Sequence, residues 1–200
     1  MLLCDHFVFV HLLKTGGTFV KQTLLRHAPS DWHCRDLDGH PALSDIPLQY
    51  RGKPCFGFIR NPWDWYVSAY SYFNKVADDP LFNDISSSGT LGFADTIWRS
   101  FEAEPFKSSN TGPMSYFFTQ IFGEDCSCEF LRFESLRDDL LRHLQRLGLE
   151  VPNSLKRAIQ QSVPLNSSPR GDYRTYYDAP LASAISRLDA DLISRFGYSF

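Results

Sequence analysis

His6-Phe7-Val8-Phe9-Val10-His11 runs directly into Leu12-Leu13-Lys14-Thr15-Gly16-Gly17-Thr18, and the fold is decided there. The first six residues form a short apolar run of β-branched and aromatic side chains, the pattern of a buried strand. Two glycines end it. Behind them Phe19, Val20, Leu24 and Leu25 recur at helical spacing, so the segment reads as strand, glycine loop and helix. A second unit of the same kind follows at Cys55-Phe56-Gly57-Phe58-Ile59, stopped by Arg60-Asn61-Pro62. Asn61 suits the cap and Pro62 the first helical position, and Trp63, Val67, Tyr70 and Phe73 give the apolar face. Glu129 to Phe133 is a third candidate strand, followed by an amphipathic helix from Ser135 to Leu147 that ends at Gly148. Strands alternating with helices predict an α/β fold with a parallel sheet flanked by helices.

The rest of the chain fits around these units. Helices are expected at 91–101, 113–122, 155–162 and 179–196. Irregular connections are expected at Pro29 to Tyr50 and at 164–174, and a mobile loop at Asp78 to Gly92. With 200 residues, 43% hydrophobic and 22% charged, and no repeat or linker, residues 1–200 read as a single domain. No apolar run approaches the ~20 residues of a membrane helix, and no signal-peptide pattern is visible, so a cytoplasmic setting is expected. A net charge of −3 argues against nucleic acid as a partner and makes any anion site local. The five cysteines are odd in number and read as reduced thiols, with a redox pair at Cys126 and Cys128 as the alternative. No metal-ligand spacing is seen.

In a parallel α/β sheet, ligands bind beyond the carboxyl ends of the strands, where a helix N-terminus offers unpaired N–H groups to an anion. Lys14 to Thr18 occupies that position: Gly16 and Gly17 allow close backbone approach, Thr15 and Thr18 carry hydroxyls, and Lys14 brings a positive charge. In the Walker A pattern the lysine follows the glycines, whereas here it precedes them, which disfavours a magnesium-nucleotide kinase. Arg60, at the end of the second strand, and Ser68, two turns into the next helix, suit a second phosphate.

Taken together, His11-Leu12-Leu13-Lys14-Thr15-Gly16-Gly17-Thr18 and Arg60-Asn61-Pro62-Trp63-Asp64 to Ser68-Ala69-Tyr70 resemble the sulfotransferase family. That family's donor is 3′-phosphoadenosine-5′-phosphosulfate (PAPS). Leu131-Arg132-Phe133-Glu134-Ser135-Leu136 and the ending Phe196-Gly197-Tyr198-Ser199-Phe200 are similar to further family segments, so the resemblance covers nearly the whole chain. It is closest to the compact branch that includes carbohydrate 2-O-sulfotransferases, although Leu12-Leu13 replaces the usual Ile-Pro, and Gly17 sits where Ala is also common.

The resemblance implies a three-layer, P-loop-like sulfotransferase fold. It implies a donor site drawn from Lys14, Thr15, Gly16, Gly17, Thr18, Phe19, Arg60 and Ser68, with Arg170 and Gly171 from a late loop. It implies His40, of the pair Gly39-His40, as the base that takes a proton from an acceptor hydroxyl, with His33 or Glu134 as reserves and Glu134 otherwise capping the next helix or touching the adenine side. Lys14 would stabilise the departing adenosine 3′,5′-bisphosphate (PAP), with no metal required, and the acceptor is expected to be a sugar or small-molecule hydroxyl. The alternatives are an ATP-dependent phosphotransferase on the same scaffold and a nucleotide-binding module without catalysis.

Overall fold

The computed structural model describes residues 1–74, 80–124, 126–162 and 171–200, and among these the sheet is built outward from β2 (Val8–Phe9). Phe7, Val8, Phe9 and Val10 are fully buried, as a strand covered on both faces must be. On one side β2 pairs in parallel with β4 (Cys55–Ile59), which pairs in parallel with β5 (Glu129–Arg132). On the other side lie two strands that the sequence pattern did not reveal, β1 (Leu2–Leu3) and β3 (Arg35–Asp36). The order is β3-β1-β2-β4-β5. Because β1 is antiparallel to both neighbours, the expected parallel sheet is a mixed one, and β3 runs in the same direction as β2. The chain leaves β2 to reach β3 on one side, then crosses to β4 on the other. The carboxyl ends of β2 and β4 therefore lie at a topological switch point.

The described residues fall into two compact units, each drawing on two separate stretches of chain: 1–60 with 118–167, and 61–117 with 168–200. The first holds the sheet together with α1 (Gly17–His27), α7 (Leu136–Arg146) and α8 (Asn153–Gln161). Phe9, Val20, Leu24, Phe56, Phe58, Leu140, Leu144 and Leu155 meet in its core. Lys21 on α1 reaches Asp36 of β3 at 2.9 Å.

Two disulfides belong to this unit, Cys4–Cys34 and Cys55–Cys128, and Cys126 belongs to neither. This corrects both thiol readings. The sheet register sets Phe56 opposite Glu129, which brings the preceding residues, Cys55 and Cys128, together across 73 positions of sequence. Such a pairing cannot be read from spacing.

The second unit contains α2 (Pro62–Phe73), α3 (Pro80–Ile85), α4 (Phe93–Glu102), α5 (Phe106–Ser109), the first half of α6 (Pro113–Phe122), α9 (Ala179–Leu188) and α10 (Ala190–Phe196). The Asn61 side chain accepts from the Asp64 N–H, as the cap pattern predicts. The loop expected from Asp78 to Gly92 contains α3 instead, since Leu81, Phe82 and Ile85 supply an apolar edge. The single helix expected at 179–196 is broken at Asp189, whose fully buried carboxylate accepts from the Tyr66 hydroxyl (2.7 Å) and the Ser115 N–H (2.9 Å). Trp63, Trp65 and Tyr66 are core residues of this unit. Trp65, Tyr66, Tyr70, Ile85, Ile97 and Phe117 line an apolar cavity of about 70 Å³.

Candidate active site at the carboxyl ends of β2 and β4

The loop between β2 and α1 turns on two left-handed residues, Lys14 (φ 59°) and Gly16 (φ 82°). Glycine takes that conformation freely. For lysine it costs energy, and such strain persists where the surroundings enforce it, typically at binding sites. Here the enforcement is visible. Arg60, only 5% exposed at the end of β4, donates from Nη1 to the Lys14 carbonyl at 3.0 Å, and its guanidinium lies 4.0 Å over the Phe133 ring. Inside the loop, the buried Thr15 hydroxyl donates to the Leu12 carbonyl at 2.7 Å, so that side chain braces the turn.

Helix α1 starts without a side-chain cap and with no acid in its first turn, and its first turn-closing bond runs from the Val20 N–H to the Gly16 carbonyl. By contrast α2 and α9 are capped by the side chains of Asn61 and Asp178. The amides of Gly17, Thr18 and Phe19 thus precede the helical ladder at an end that carries no carboxylate, the donor set an external anion requires. Phe19 offers only its backbone, because its ring is in the core beneath the Arg137 guanidinium at 4.8 Å.

Gly16 and Gly17 also have packing reasons to be glycine. A methyl group on Gly16 would stand 2.3 Å from Leu136, and one on Gly17 would stand 1.8 Å from Cδ2 of His11. The His11 ring therefore packs directly against the start of α1. It stacks on Phe9 on one side (6.2 Å, 22°) and meets His40 on another (4.5 Å between centroids, 44°).

The strand directions separate the two loop histidines. Chain leaving β3 emerges at the same end as chain leaving β2, so Gly39-His40 arrives beside the anion loop, where His40 Nδ1 lies 3.0 Å from the His11 carbonyl oxygen. His33 precedes β3 and sits at the opposite end of the sheet, exposed and paired with Asp5 at 2.7 Å. This geometry removes His33 as a reserve base. Glu134 is exposed on the turn between β5 and α7. Nearby, Asp139 on the first turns of α7 accepts from the Ser135 hydroxyl and the Arg132 N–H and ties the helix to the end of β5.

Burial holds both site histidines below the ordinary value. It lowers the His40 pKa, while the bond to the His11 carbonyl acts in the opposite sense. For His11 the pKa falls to about 2 through burial first and the neighbouring His40 second, so the ring is neutral. His11 Nδ1 makes no hydrogen bond among the described residues. In the sequence His11 stands only at the start of a motif, and its position as the last residue before the loop is the available signal.

Ser68 belongs to the other unit and is half-buried on the second turn of α2. Arg170 lies outside the described residues. Gly171 is exposed ahead of a 3-10 turn at Tyr173–Tyr176, where the Arg174 guanidinium pairs with Asp172 and lies 4.6 Å over Tyr173.

No protein-family model matches this chain, and no curated protein matches it. Among solved structures it is similar to the crystal structure of mouse sulfotransferase SULT7A1 complexed with PAP. The TM-score is 0.59 at 15% identity, over 94% of this chain and 84% of that one. At that identity the likeness is one of fold, and the α/β architecture is of the sulfotransferase type.

Proposed function

We propose that this protein moves a sulfuryl group from PAPS to an acceptor hydroxyl, on a sugar or small molecule, by in-line displacement at sulfur. The observation that carries the reading is the gathering of Lys14, the uncapped start of α1, Arg60 and His40 at one end of the sheet. The fold shared with a PAP-bound sulfotransferase supports it.

The donor supplies an activated sulfuryl group and a bisphosphate leaving group. The amides of Gly17, Thr18 and Phe19, with the Thr18 hydroxyl, hold the 5′-phosphate, and Lys14 faces the negative charge that grows on the bridging oxygen as the S–O bond breaks. Arg60 takes the 3′-phosphate, the role the resemblance also implies for Ser68. His40 accepts the acceptor's proton as the new O–S bond forms. The Thr15 side chain braces the loop, and that residue's contribution to the ligand is its N–H. Two disulfides suit an oxidising compartment better than the cytoplasmic setting expected from the first residues.

The test is transfer of radiolabelled sulfate from PAPS to N-acetylglucosamine and to para-nitrophenol, without added metal. Transfer to either probe supports the reading. Lys14→Ala should then lower the rate by about 10² to 10³ with the fold intact. PAP binding with no transfer to any hydroxyl acceptor would leave the non-catalytic module, and magnesium-dependent use of ATP would leave the phosphotransferase.

A further inference from the structure

Resting on His40 as the base, we infer that His11 is its positioning residue: the His11 carbonyl selects the His40 tautomer, and the His11 ring fixes the plane of the His40 imidazole.

The first half follows from which atoms can donate. A carbonyl oxygen only accepts, so the 3.0 Å contact between His40 Nδ1 and the His11 carbonyl requires the hydrogen to be on Nδ1. In the neutral ring that leaves the lone pair on Nε2, at the far edge of the imidazole from the bond. A base in the other tautomer would meet the acceptor hydroxyl with an N–H and take no proton. The carbonyl belongs to the residue where β2 turns into the anion loop, so the strand that places Lys14 also orients His40.

The second half follows from packing. His40 is exposed along one edge and comes from an irregular segment, and a single hydrogen bond leaves a ring free to swing about it. The centroid distance of 4.5 Å to His11 puts a second ring against it. The His11 ring is itself immobile, 8% exposed between Phe9 and the backbone of Gly17, where no Cβ would fit. An imidazole held neutral adds no charge opposing proton uptake by its neighbour. The charged groups that act on the pair are Lys14, Lys21 and the terminal amine, all cationic, with Lys14 felt by His11 alone. They oppose protonation of both rings and do not alter which nitrogen of His40 bonds the carbonyl.

Long-range nitrogen–proton NMR on the ligand-free protein reads the tautomer directly, and the same variants are assayed for transfer to the two hydroxyl probes. The wild type should show His40 protonated on Nδ1. His11→Ala keeps the carbonyl but removes the ring. It should give a tautomer mixture and a kcat reduced about tenfold or more, with the KM for PAPS unchanged. The pH midpoint of kcat/KM should also move up towards the ordinary histidine value. His11→Phe restores a ring of similar size and should recover the wild-type tautomer and most of the lost kcat, which separates positioning from a folding defect. A wild-type His40 protonated on Nε2, or a His11→Ala protein with wild-type tautomer and kcat, would overturn the positioning role while leaving the base assignment standing. Undiminished transfer by His40→Ala would overturn the base assignment, and this role with it.

Discussion

Gly17 stands against an imidazole ring with no room for a methyl group, and this single contact joins the strand end, the helix start and the proposed base. Gly17→Ala should therefore cost about 1–3 kcal/mol in chemical denaturation, the usual range for overpacking a filled site. A fully stable Gly17→Ala protein would mean that the His11 ring lies elsewhere. The buried His11 also makes stability depend on pH. Its pKa is about 2 folded against about 6.5 unfolded, so between those values the unfolded chain binds the extra proton. The stability is fully present above about pH 6.5 and is lost as pH falls, by up to about 1.4 kcal/mol per pH unit below that point. His143, buried against Phe56 and also lowered by desolvation, acts in the same direction. Denaturation midpoints at pH 7 and pH 5 should differ in this sense, and His11→Phe should shrink the difference.

At the scale of elements, Asp189 shows what a helical pattern conceals. Leu181, Ile185, Leu188, Leu192 and Ile193 keep one period from 179 to 196, yet the helix breaks between α9 and α10. The carboxylate turns inward to Tyr66 and Ser115, partners more than 70 residues away that no local window contains. Burial raises its pKa, so the charged form is disfavoured and stability falls as pH rises through that raised value. Asp189→Ala strands the Tyr66 hydroxyl and the Ser115 N–H and should destabilise by about 3 kcal/mol, whereas Asp189→Asn, which can still bond both, should cost clearly less. Equal losses in thermal denaturation would contradict the network. Distance along the chain decides what could be read in it. Strand, loop and helix around Lys14 and around Arg60 were legible because pattern, caps and glycines act within a few residues. β1 and β3 are two-residue strands defined only by long-range pairing, and the disulfides depend on sheet register. At the site, Lys14 and Arg60 were legible as cations at strand ends. His40 came ahead of His33 on the resemblance alone, and the physical reason, the direction of β3, was not legible; the part proposed for His11 rests on the packing of its ring.

At the scale of the whole molecule, the proposal is that a fold of the sulfotransferase type binds a bisphosphorylated adenosine without metal. Calorimetric titration with PAP, 5′-AMP and ATP, each with and without magnesium, tests this most directly. It should be run on the wild type, on Ser68→Ala and on Arg60→Lys, the last chosen because Arg60 also secures the Lys14 carbonyl. PAP should bind independently of magnesium and about tenfold or more tighter than 5′-AMP, the worth of charge-assisted bonds to one more phosphate, with that advantage reduced in both variants. Equal affinity for PAP and 5′-AMP, or tighter binding of magnesium-ATP, would contradict the donor site and the sulfuryl transfer proposed for it.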